Sequence, residues 1–293
     1  MRTRSRAWSN LLYVLPAIIL IGVFVYYPLV ANAAFGFFSF SAGSGEMRFV
    51  GLDNFARLLS DPIIATALGN NILYAIVSIV CQVGGALVIA AWLTRLLGPR
   101  MGAFLRSVYF LPAVISMTVI ALLFTFVYNA RGGLLNALLE AIGLGSLQTA
   151  WLADVDTAMG AVIGVSQWQS IGYVCMLYVV ALQQIPEEYY EAASLDGAGR
   201  VRQFFSITVP QAKEMTFVAM ILTVSGAFTV FNEPYILTKG GPGNTTQVLA
   251  TYMYNQGFFQ NEMGYASAIA SLIFVITLVL SVVQMVSFRS GRQ

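Results

Sequence analysis

The sequence predicts an all-α integral membrane protein with six transmembrane helices, and three observations support this prediction. Hydrophobic residues make up 58% of the 293 positions and charged residues only 10%, whereas about 25% of the residues in a soluble domain are charged. The mean hydropathy is +0.76. Long uncharged stretches separate the charges, and a membrane-spanning helix needs about 20 such residues. These features exclude soluble globular enzymes, disordered chains and collagen-like chains.

Several residue types that carry chemistry are scarce. The sequence contains no histidine, so a histidine-based metal site, proton shuttle or Ser-His-Asp triad cannot form. Its two cysteines, Cys81 and Cys175, lie in apolar stretches, which argues against a disulfide scaffold. The net charge of +2 is too small to indicate nucleic-acid binding. We therefore expect no catalytic residues, no metal and no nucleic-acid partner.

The spans follow from the uncharged stretches of the sequence. A further uncharged stretch at 240–261 begins Gly-Gly-Pro-Gly and is rich in Asn, Thr and Gln, which is typical of a loop. Segment 134–144 is too short to span, and its Leu and Ala spacing favours an interfacial or re-entrant helix. Residues 31–34 resemble a signal-peptide cleavage site, but the apolar run before them is too long, so we favour an uncleaved first helix. The six predicted spans are 11–34, 69–94, 105–129, 158–183, 215–238 and 264–288.

The basic residues predict that both termini lie in the cytoplasm. Six spans place both termini on one side, and 11 of the 15 Lys and Arg residues fall on that side. Cytoplasmic loops carry such an excess of basic residues. A seventh span at 240–261 would move the two C-terminal arginines outside, which the same rule disfavours. The predicted layout is a cytoplasmic N-terminus at 1–10 and a single six-helix domain at 11–293, with a cytoplasmic loop at 184–214 and external loops at 35–68, 130–157 and 239–263.

The loop at 184–214 predicts a helix–turn–helix between spans four and five. Pro186 fits the first helical position, and the two glutamates that follow suit the positive end of the helix dipole. Gly197 tolerates the left-handed conformation that ends many helices. A second short helix follows, with apolar and basic residues on different faces. We expect Pro210 to break this helix before the fifth span.

The same loop resembles the signature of permease subunits of binding-protein-dependent ABC importers. These subunits carry the pattern E-A-A-x3-G-x9-I-x-L-P, and this chain departs from it only by Val for Leu at position 209. A bare E-A-A tripeptide would more often be a stable surface helix, but the full spacing and the predicted cytoplasmic side favour the resemblance. The matching positions are Glu191, Ala192, Ala193, Gly197, Ile207 and Pro210.

The resemblance extends over almost the whole chain. Segments 11–30, 49–61, 67–78 and 231–249 are similar to the carbohydrate branch of this family, in particular to the first of its two permease types. Asn71 departs from the pattern, because the family usually has Thr there. The resemblance implies the type I ABC importer permease fold, in the inner or plasma membrane of a bacterial-type cell.

The resemblance also implies partners and a mechanism. A helix in the cytoplasmic loop would dock into a groove on a cytoplasmic ATPase, and closure of two such ATPases on ATP and Mg²⁺ would switch the pathway between inward-facing and outward-facing states. A second, similar permease would complete a heterodimeric pore. An external solute-binding protein would deliver a carbohydrate, whether a sugar, an oligosaccharide or a related polyol. The residues implied for ATPase coupling are Glu187, Glu188, Tyr190, Glu191, Ala192, Ala193, Leu195, Asp196, Gly197, Ala198, Ile207 and Pro210.

The chain itself is not expected to bind ATP. A P-loop needs Gly-Lys-Ser/Thr, whereas Lys213 precedes Glu and Lys239 precedes Gly. The ATPase is therefore expected to be a separate chain, and this chain is not expected to be an enzyme. The alternative is a secondary sugar transporter, which typically shows inverted repeats and buried ion-coupling charges. We detect no internal repeat, and Glu233 is the single acid predicted near a span.

Polar residues within the spans are candidates for a substrate path. Glu233 could line that path or lie at the outer boundary of the membrane, and the sequence favours neither. A Gln-Trp-Gln cluster in span four could bind a sugar through hydrogen bonds and ring stacking, although interfacial anchoring and interhelix hydrogen bonds are the favoured interpretation. The candidate residues for the path are Gln167, Trp168, Gln169, Tyr173, Asn232, Glu233 and Tyr235.

Overall fold

The computed structural model describes residues 13–43, 46–95 and 97–290, so the predicted N-terminal segment 1–10 lies outside the described residues. Five of the described helices are long and apolar enough to cross a membrane, and the number rises to six if one bent pair of helices is counted as a single span. Two short strands, β1 (Phe38–Ser39) and β2 (Arg48–Phe49), form an antiparallel ribbon. The structure thus confirms a helical membrane fold.

The helices account for all six predicted spans. The spans are α1, α3, the pair α4 and α5, α7, α10 with α11, and α13. In chain order the helices are α1 (Tyr13–Phe35), α2 (Asp53–Ser60), α3 (Pro62–Arg95), α4 (Pro99–Val114), α5 (Met117–Val127), α6 (Leu134–Ala141), α7 (Ala158–Leu182), α8 (Glu187–Leu195), α9 (Arg200–Gln203), α10 (Lys213–Thr229), α11 (Asn232–Leu237), α12 (Leu249–Tyr254) and α13 (Met263–Ser290).

Irregular helical turns interrupt or extend several of these helices. π-helical turns lie inside α1 at Gly22–Tyr26 and inside α3 at Ile79–Gly85. Further π-helical turns follow α9 at Phe204–Thr208 and α12 at Asn255–Phe259. A 3₁₀ turn lies at Gly145–Leu147. Because π-helical turns often mark functional positions, the one inside α3 is of particular interest.

The chain groups into two compact units. Among the described residues, the smaller unit comprises 13–43, 46–61 and 253–274, and the larger comprises 62–95, 97–252 and 275–290. In the smaller unit, Arg57 forms an ion pair of 2.6 Å with Glu262 and lies over the ring of Tyr265. The Tyr265 hydroxyl donates to Asp61 at 2.7 Å. These contacts connect α2 to the N-terminal part of α13.

The core of the larger unit forms around α7. Val174, Cys175 and Tyr178 of this helix are buried against the small residues Ala86 and Ala90 of α3. Small residues allow the close helix approach on which packing in a membrane depends. On another side α7 crosses α4, where a Cβ atom built at Gly172 would lie 1.8 Å from the carbonyl oxygen of Tyr109. Only glycine permits this crossing.

The third predicted span is not one continuous helix. α4 and α5 meet at an angle of 96°, and the backbone is extended at Ile115 and at the N-cap residue Ser116. Gln169 of α7 donates to the carbonyl oxygen of Ile115 at 2.8 Å, which satisfies an acceptor near the break. The prediction of a single helix over 105–129 was therefore wrong.

The C-terminal end of the fifth span and the segment after it also differ from expectation. α10 ends at Thr229, and the chain restarts as α11 with Pro234 in its first turn, where a missing N–H costs little. The predicted external loop at 239–263 contains α12 and a π-helical turn, so it is partly helical. The second span begins at Pro62, several residues before the predicted position 69.

Candidate functional site

α8 is a short helix with a sharply defined end. It starts directly after Pro186, which is the N-cap residue and not, as predicted, the first helical residue. At the other end Gly197 has a φ of +79°. The N–H of Gly197 donates to the carbonyl of Ser194 at 3.0 Å, and the N–H of Ala198 donates to that of Ala193 at 2.8 Å. This pair of bonds is a Schellman motif, and it explains the glycine at this position.

The second helix of the loop at 184–214 runs further than the sequence predicts. α9 continues through the π-helical turn Phe204–Thr208 into the helical segment Val209–Gln211. Pro210 lies inside this segment, and the chain turns only at Ala212, just before α10 begins. The expectation that Pro210 breaks the helix was therefore wrong. Proline residues and π-helical turns are both known causes of bends within a helix.

Most of the residues implied for coupling are on the surface. Leu195 is 90% exposed, and Val201 and Phe205 of the following segment are also exposed. These apolar side chains, together with Glu187 and Glu191, border a groove of about 950 Å³. The coupling candidates with exposed positions are Glu187, Glu188, Glu191, Ala192, Leu195, Asp196, Gly197 and Pro210, whereas Ala193, Ala198 and Ile207 are half-buried.

Tyr190 differs from the other residues of this set because its side chain is buried. The guanidinium of Arg95 lies over its ring, 3.3 Å from the ring centroid. The Tyr190 hydroxyl is hydrogen-bonded to the hydroxyl of Thr208 at 3.0 Å. Arg95 Nη1 also donates to Glu187 Oε2 at 2.7 Å. Tyr190 therefore connects α8 to neighbouring elements and does not present its ring at the surface.

A half-open pocket of about 230 Å³, here called the chamber, lies between α3, α7 and α10. Among the described residues, its lining contains hydroxyl, amide and apolar side chains but no charged ones. Gln167 lies beside it, accepting a hydrogen bond from Gln82 at 3.0 Å and donating one to Ser78 at 3.1 Å. The polar lining residues are Tyr74, Ser78, Gln82, Ser166, Ser170, Tyr173 and Thr223.

Thr223 is the unusual member of this lining. Its side chain is 6% exposed, and its hydroxyl has no hydrogen-bond partner among the described residues. Thr hydroxyls in helices usually bond to a carbonyl three or four residues earlier, as Thr229 of the same helix does. A buried hydroxyl without a partner carries a desolvation cost. Thr223 is also one of the residues that line the chamber, although its hydroxyl oxygen is itself buried.

The residues of the cluster predicted in span four make two kinds of contact in the structure. Two of them border the chamber, and two contact other helices. Tyr173 lines the chamber, and Gln167 hydrogen-bonds to two of its lining residues. Trp168 packs against Phe124 of α5, with 5.4 Å between ring centroids. Gln169 bonds to the carbonyl of Ile115 in the broken third span. Trp168 and Gln169 therefore contact the elements of the bent third span and not the chamber.

Glu233 is buried near the start of α11 and is not among the residues that line the chamber. Its Oε1 atom accepts a hydrogen bond of 3.1 Å from the hydroxyl of Tyr74, which does line the chamber. Asn232 is exposed, and Tyr235 stacks on Phe231 with 4.9 Å between ring centroids. Glu233 therefore contacts a lining residue of the chamber but does not line the chamber itself.

Sequence reasoning missed most of the chamber. Tyr74, Ser78 and Gln82 are spaced four apart and so share a face of α3, and Ser166 and Ser170 are related in the same way on α7. This spacing of polar residues within apolar spans is the sequence pattern from which these lining residues could have been predicted. Thr223 had no such signal, because one threonine in an apolar helix commonly bonds to its own backbone.

Asn70 and Asn71 of α3 have structural contacts. Asn70 donates to the carbonyls of Thr245 and Gln247 at 2.8 and 2.7 Å. Asn71 donates to the carbonyl of Ala227 at 2.7 Å and accepts from the N–H of Leu249 at 3.0 Å. Buried backbone groups need such partners. The described residues contain no group of three His, Cys, Asp or Glu side chains that could hold a metal ion.

Comparison with known proteins identifies the family. Residues 83–290 match the model of the family described as "Binding-protein-dependent transport system inner membrane component". The chain belongs to this family. The "Probable ABC transporter permease protein YurN" of Bacillus subtilis is 56% identical to this permease, over 96% of each chain. The "Lactose transport system permease protein LacF" of Rhizobium radiobacter is 34% identical, over 96% of the permease and 94% of the relative.

A solved structure supports the fold of the permease. It is described as that of a bacterial alginate ABC transporter in complex with an alginate pentasaccharide-bound periplasmic protein. The permease matches a chain of it with a TM-score of 0.83 and 22% identity, over 97% of this chain and 94% of the other. Fold and family together confirm a multi-pass ABC transporter permease, which is not itself an enzyme.

Proposed function

We propose that this permease forms part of the pathway of an ATP-driven importer for a carbohydrate. The observation that carries the proposal is the uncharged chamber between α3, α7 and α10, whose lining combines hydroxyl and amide groups with apolar surface and which lies in the same chain as the E-A-A loop. The substrates named for its relatives, lactose and alginate, are saccharides. The carbohydrate reaches the chamber from an external solute-binding protein and leaves to the cytoplasm by alternating access.

The chemistry of the chamber suits a saccharide. Sugar hydroxyls both donate and accept hydrogen bonds, and hydroxyl and amide side chains can do the same. Thr223 supplies a buried hydroxyl without a protein partner, and Tyr173 supplies an aromatic face for the apolar side of a sugar ring. Gln167 and Glu233 support this lining through Ser78 and Tyr74. We assign Trp168, Gln169, Asn232 and Tyr235 no direct contact with the sugar.

The exposed face of α8 is the proposed contact with the ATPase. Leu195, Val201 and Phe205 are exposed apolar side chains outside the spans, and such a patch favours a protein partner. The small Ala192 allows close approach, and Glu191 offers a charge. A helix with this pattern fits the mode in which a short helix enters a groove of its partner.

The remaining partners follow from the family. Two cytoplasmic ATPase subunits bind ATP and Mg²⁺, a second similar permease completes a heterodimeric pore, and the solute-binding protein docks outside. The assembly lies in the inner or plasma membrane of a bacterial-type cell, with both termini of the permease in the cytoplasm. The solved alginate transporter with its periplasmic protein supports the external partner.

Affinity purification of the permease from native membranes tests this function. We expect a P-loop ATPase and a second six-span chain to copurify. Gly197→Val should reduce recovery of the ATPase about tenfold, because a β-branched residue at a φ of +79° distorts the end of α8. Gly199→Val is the matched control, because Gly199 has an extended backbone with a φ of −67° and no heavy atom within 4 Å of an added Cβ.

The purified complex then allows the substrate class to be tested. We expect its ATPase activity to respond to at least one neutral sugar, oligosaccharide or polyol in the presence of the solute-binding protein. A permease that purifies alone, or as a homodimer, and still moves sugar in liposomes would instead be a secondary transporter. Equal ATPase recovery from the Gly197 and Gly199 variants would argue against α8 as the docking element.

A further inference from the structure

Arg95 and Tyr190 form a link between three elements of the larger unit. Arg95 is the last residue of α3, and Tyr190 lies in the middle of α8. The Arg95 guanidinium covers the buried ring of Tyr190 at 3.3 Å from its centroid, and Nη1 pairs with Glu187 at 2.7 Å. The carboxylate of Glu187 is 69% exposed, so the ion pair alone adds little. The stacking on a buried ring is the stronger attachment.

Tyr190 reaches the fifth span on its other side. Its hydroxyl bonds to Thr208 at 3.0 Å, and both side chains are buried. Thr208 is four residues before Ala212, whose N–H donates to the Thr208 carbonyl at 2.9 Å, and α10 begins at the next residue. One aromatic side chain of α8 therefore contacts the cytoplasmic end of α3 and the approach to α10.

The two helices reached in this way are two of the three that line the chamber. α3 contributes Ser78 and Gln82, and α10 contributes Thr223. Gln82 lies inside the π-helical turn Ile79–Gly85, between the chamber and Arg95. A π-helical turn is a point where a helix readily changes its geometry. A displacement of the end of α3 can therefore alter the position of the lining residues.

We propose that Arg95 and Tyr190 transmit movement of α8 to α3 and α10, and so couple the ATPase to the opening of the chamber. Arg95 acts as a positioning residue, because it does not line the chamber and acts on it only through its contacts with Tyr190 and Glu187 of α8. The proposal rests on the proposed function, since it needs an ATPase that moves α8. It differs from docking itself, because it concerns what happens after the ATPase has bound.

The test measures opening of the chamber directly and needs no identified sugar. Cys81 and Cys175 are replaced by Ser and Ala, and Ser78→Cys, whose parent side chain is 1% exposed, reports access to the chamber. The complex with its ATPases is placed in proteoliposomes that contain ATP, Mg²⁺ and vanadate. A membrane-impermeant methanethiosulfonate is added outside. We expect nucleotide trapping to raise the labelling rate about tenfold, and Arg95→Ala to reduce this rise to less than about twofold.

Arg57 provides a matched control. It makes the same two contacts as Arg95, an ion pair of 2.6 Å with Glu262 and a stacking contact 3.9 Å from the ring centroid of Tyr265. Arg57→Ala therefore removes equivalent interactions from the other unit, and we expect the nucleotide-dependent rise to remain. Glu187→Gln should reduce the rise less than Arg95→Ala, and it should add no further loss to Arg95→Ala.

The outcomes separate the link from the proposed function. A rise in the parent chain that persists in Arg95→Ala, with the ATPase still bound, overturns the link. Loss of the rise in both arginine variants also overturns it, because the effect is then not specific to α8. No rise in the parent chain contradicts the proposed function itself. Should Arg95→Ala fail to bind the ATPase, Tyr190→Phe decides, since it keeps the ring under Arg95 and removes the bond to Thr208.

Discussion

Thr223 is the residue of the chamber whose local contacts are hardest to explain by folding alone. Its hydroxyl is buried in an apolar helix but is not bonded to its own backbone, although Thr229 of the same helix is. A protein that only needed to fold would gain by placing a methyl group here. Retention of the hydroxyl is understandable if a ligand uses it during transport.

The first prediction follows from this conflict between stability and function. Thr223→Val keeps the shape of the side chain and removes the unpaired hydroxyl. We expect the free energy of unfolding of the detergent-solubilised protein to stay equal or to rise by up to about 1 kcal/mol. Substrate-stimulated ATPase activity of the assembled complex should fall about fivefold to tenfold at low sugar concentration. Thr229→Val is the control on the same helix, and a loss of activity there of the same size would refute the role of Thr223.

A second prediction concerns Glu233, which supports the chamber through Tyr74. Gln at position 233 retains an oxygen that can accept the hydrogen bond of 3.1 Å from the Tyr74 hydroxyl. We therefore expect Glu233→Gln to reduce sugar uptake by less than about threefold, and Glu233→Leu to reduce it at least about tenfold. Uptake into proteoliposomes checks this order. Equal losses in both variants would show that the charge of Glu233 matters and not its hydrogen bond.

At the scale of helices, the sequence predicts the number of spans well because the physical requirement is simple. A span must avoid charges over about 20 residues, and this requirement can be read without knowing the contacts. The bend between α4 and α5 is different, since it depends on the backbone angles of Ile115 and Ser116 and on a hydrogen bond from Gln169 on another helix. Such a bond joins residues 54 positions apart and leaves no periodic signal.

The chamber and the loop at 184–214 show the same contrast. Gly197 of the loop acts through local backbone geometry, so its spacing from Glu191 could be recognised in the sequence. Ser78, Ser166 and Thr223 line one pocket only because three helices bring them together. Their types are common in membrane helices, where they often serve packing. For this reason the sequence predicts the loop at 184–214 more completely than it predicts the chamber.

A third prediction tests the packing of α7. Gly172→Ala places a Cβ atom 1.8 Å from the backbone oxygen of Tyr109, so α4 and α7 must separate. We expect the free energy of unfolding to fall by about 1–3 kcal/mol. Gly160→Ala on the same helix meets no heavy atom within 4 Å and should be neutral or stabilising by up to about 1 kcal/mol. Denaturation in mixed detergents provides the comparison, and equal stability of the two variants would contradict the close crossing.

At the scale of the whole molecule, direction of transport depends on which side of the membrane each loop occupies. The chamber, α8 and the link through Arg95 can work as an importer only if α8 faces the ATPase in the cytoplasm. The distribution of basic residues predicts this orientation, because 11 of 15 lie on the side of α8 and of both termini. The count of basic residues thus predicts the orientation of the chain in the membrane, whereas the packing of the helices alone does not.

The fourth prediction tests this orientation with two equivalent reporters. Leu59 of α2 is 93% exposed and Leu195 of α8 is 90% exposed, so cysteine at either position should be reactive wherever reagent is present. In a chain with Cys81 and Cys175 replaced, we expect an impermeant thiol reagent added to intact cells to label Leu59→Cys and not Leu195→Cys. Inside-out vesicles with the permease expressed without its ATPase, which would otherwise cover Leu195, should reverse the pattern, because the cytoplasmic face is then outside. Labelling of Leu195→Cys in intact cells would place α8 on the external side, and no cytoplasmic ATPase could then move it.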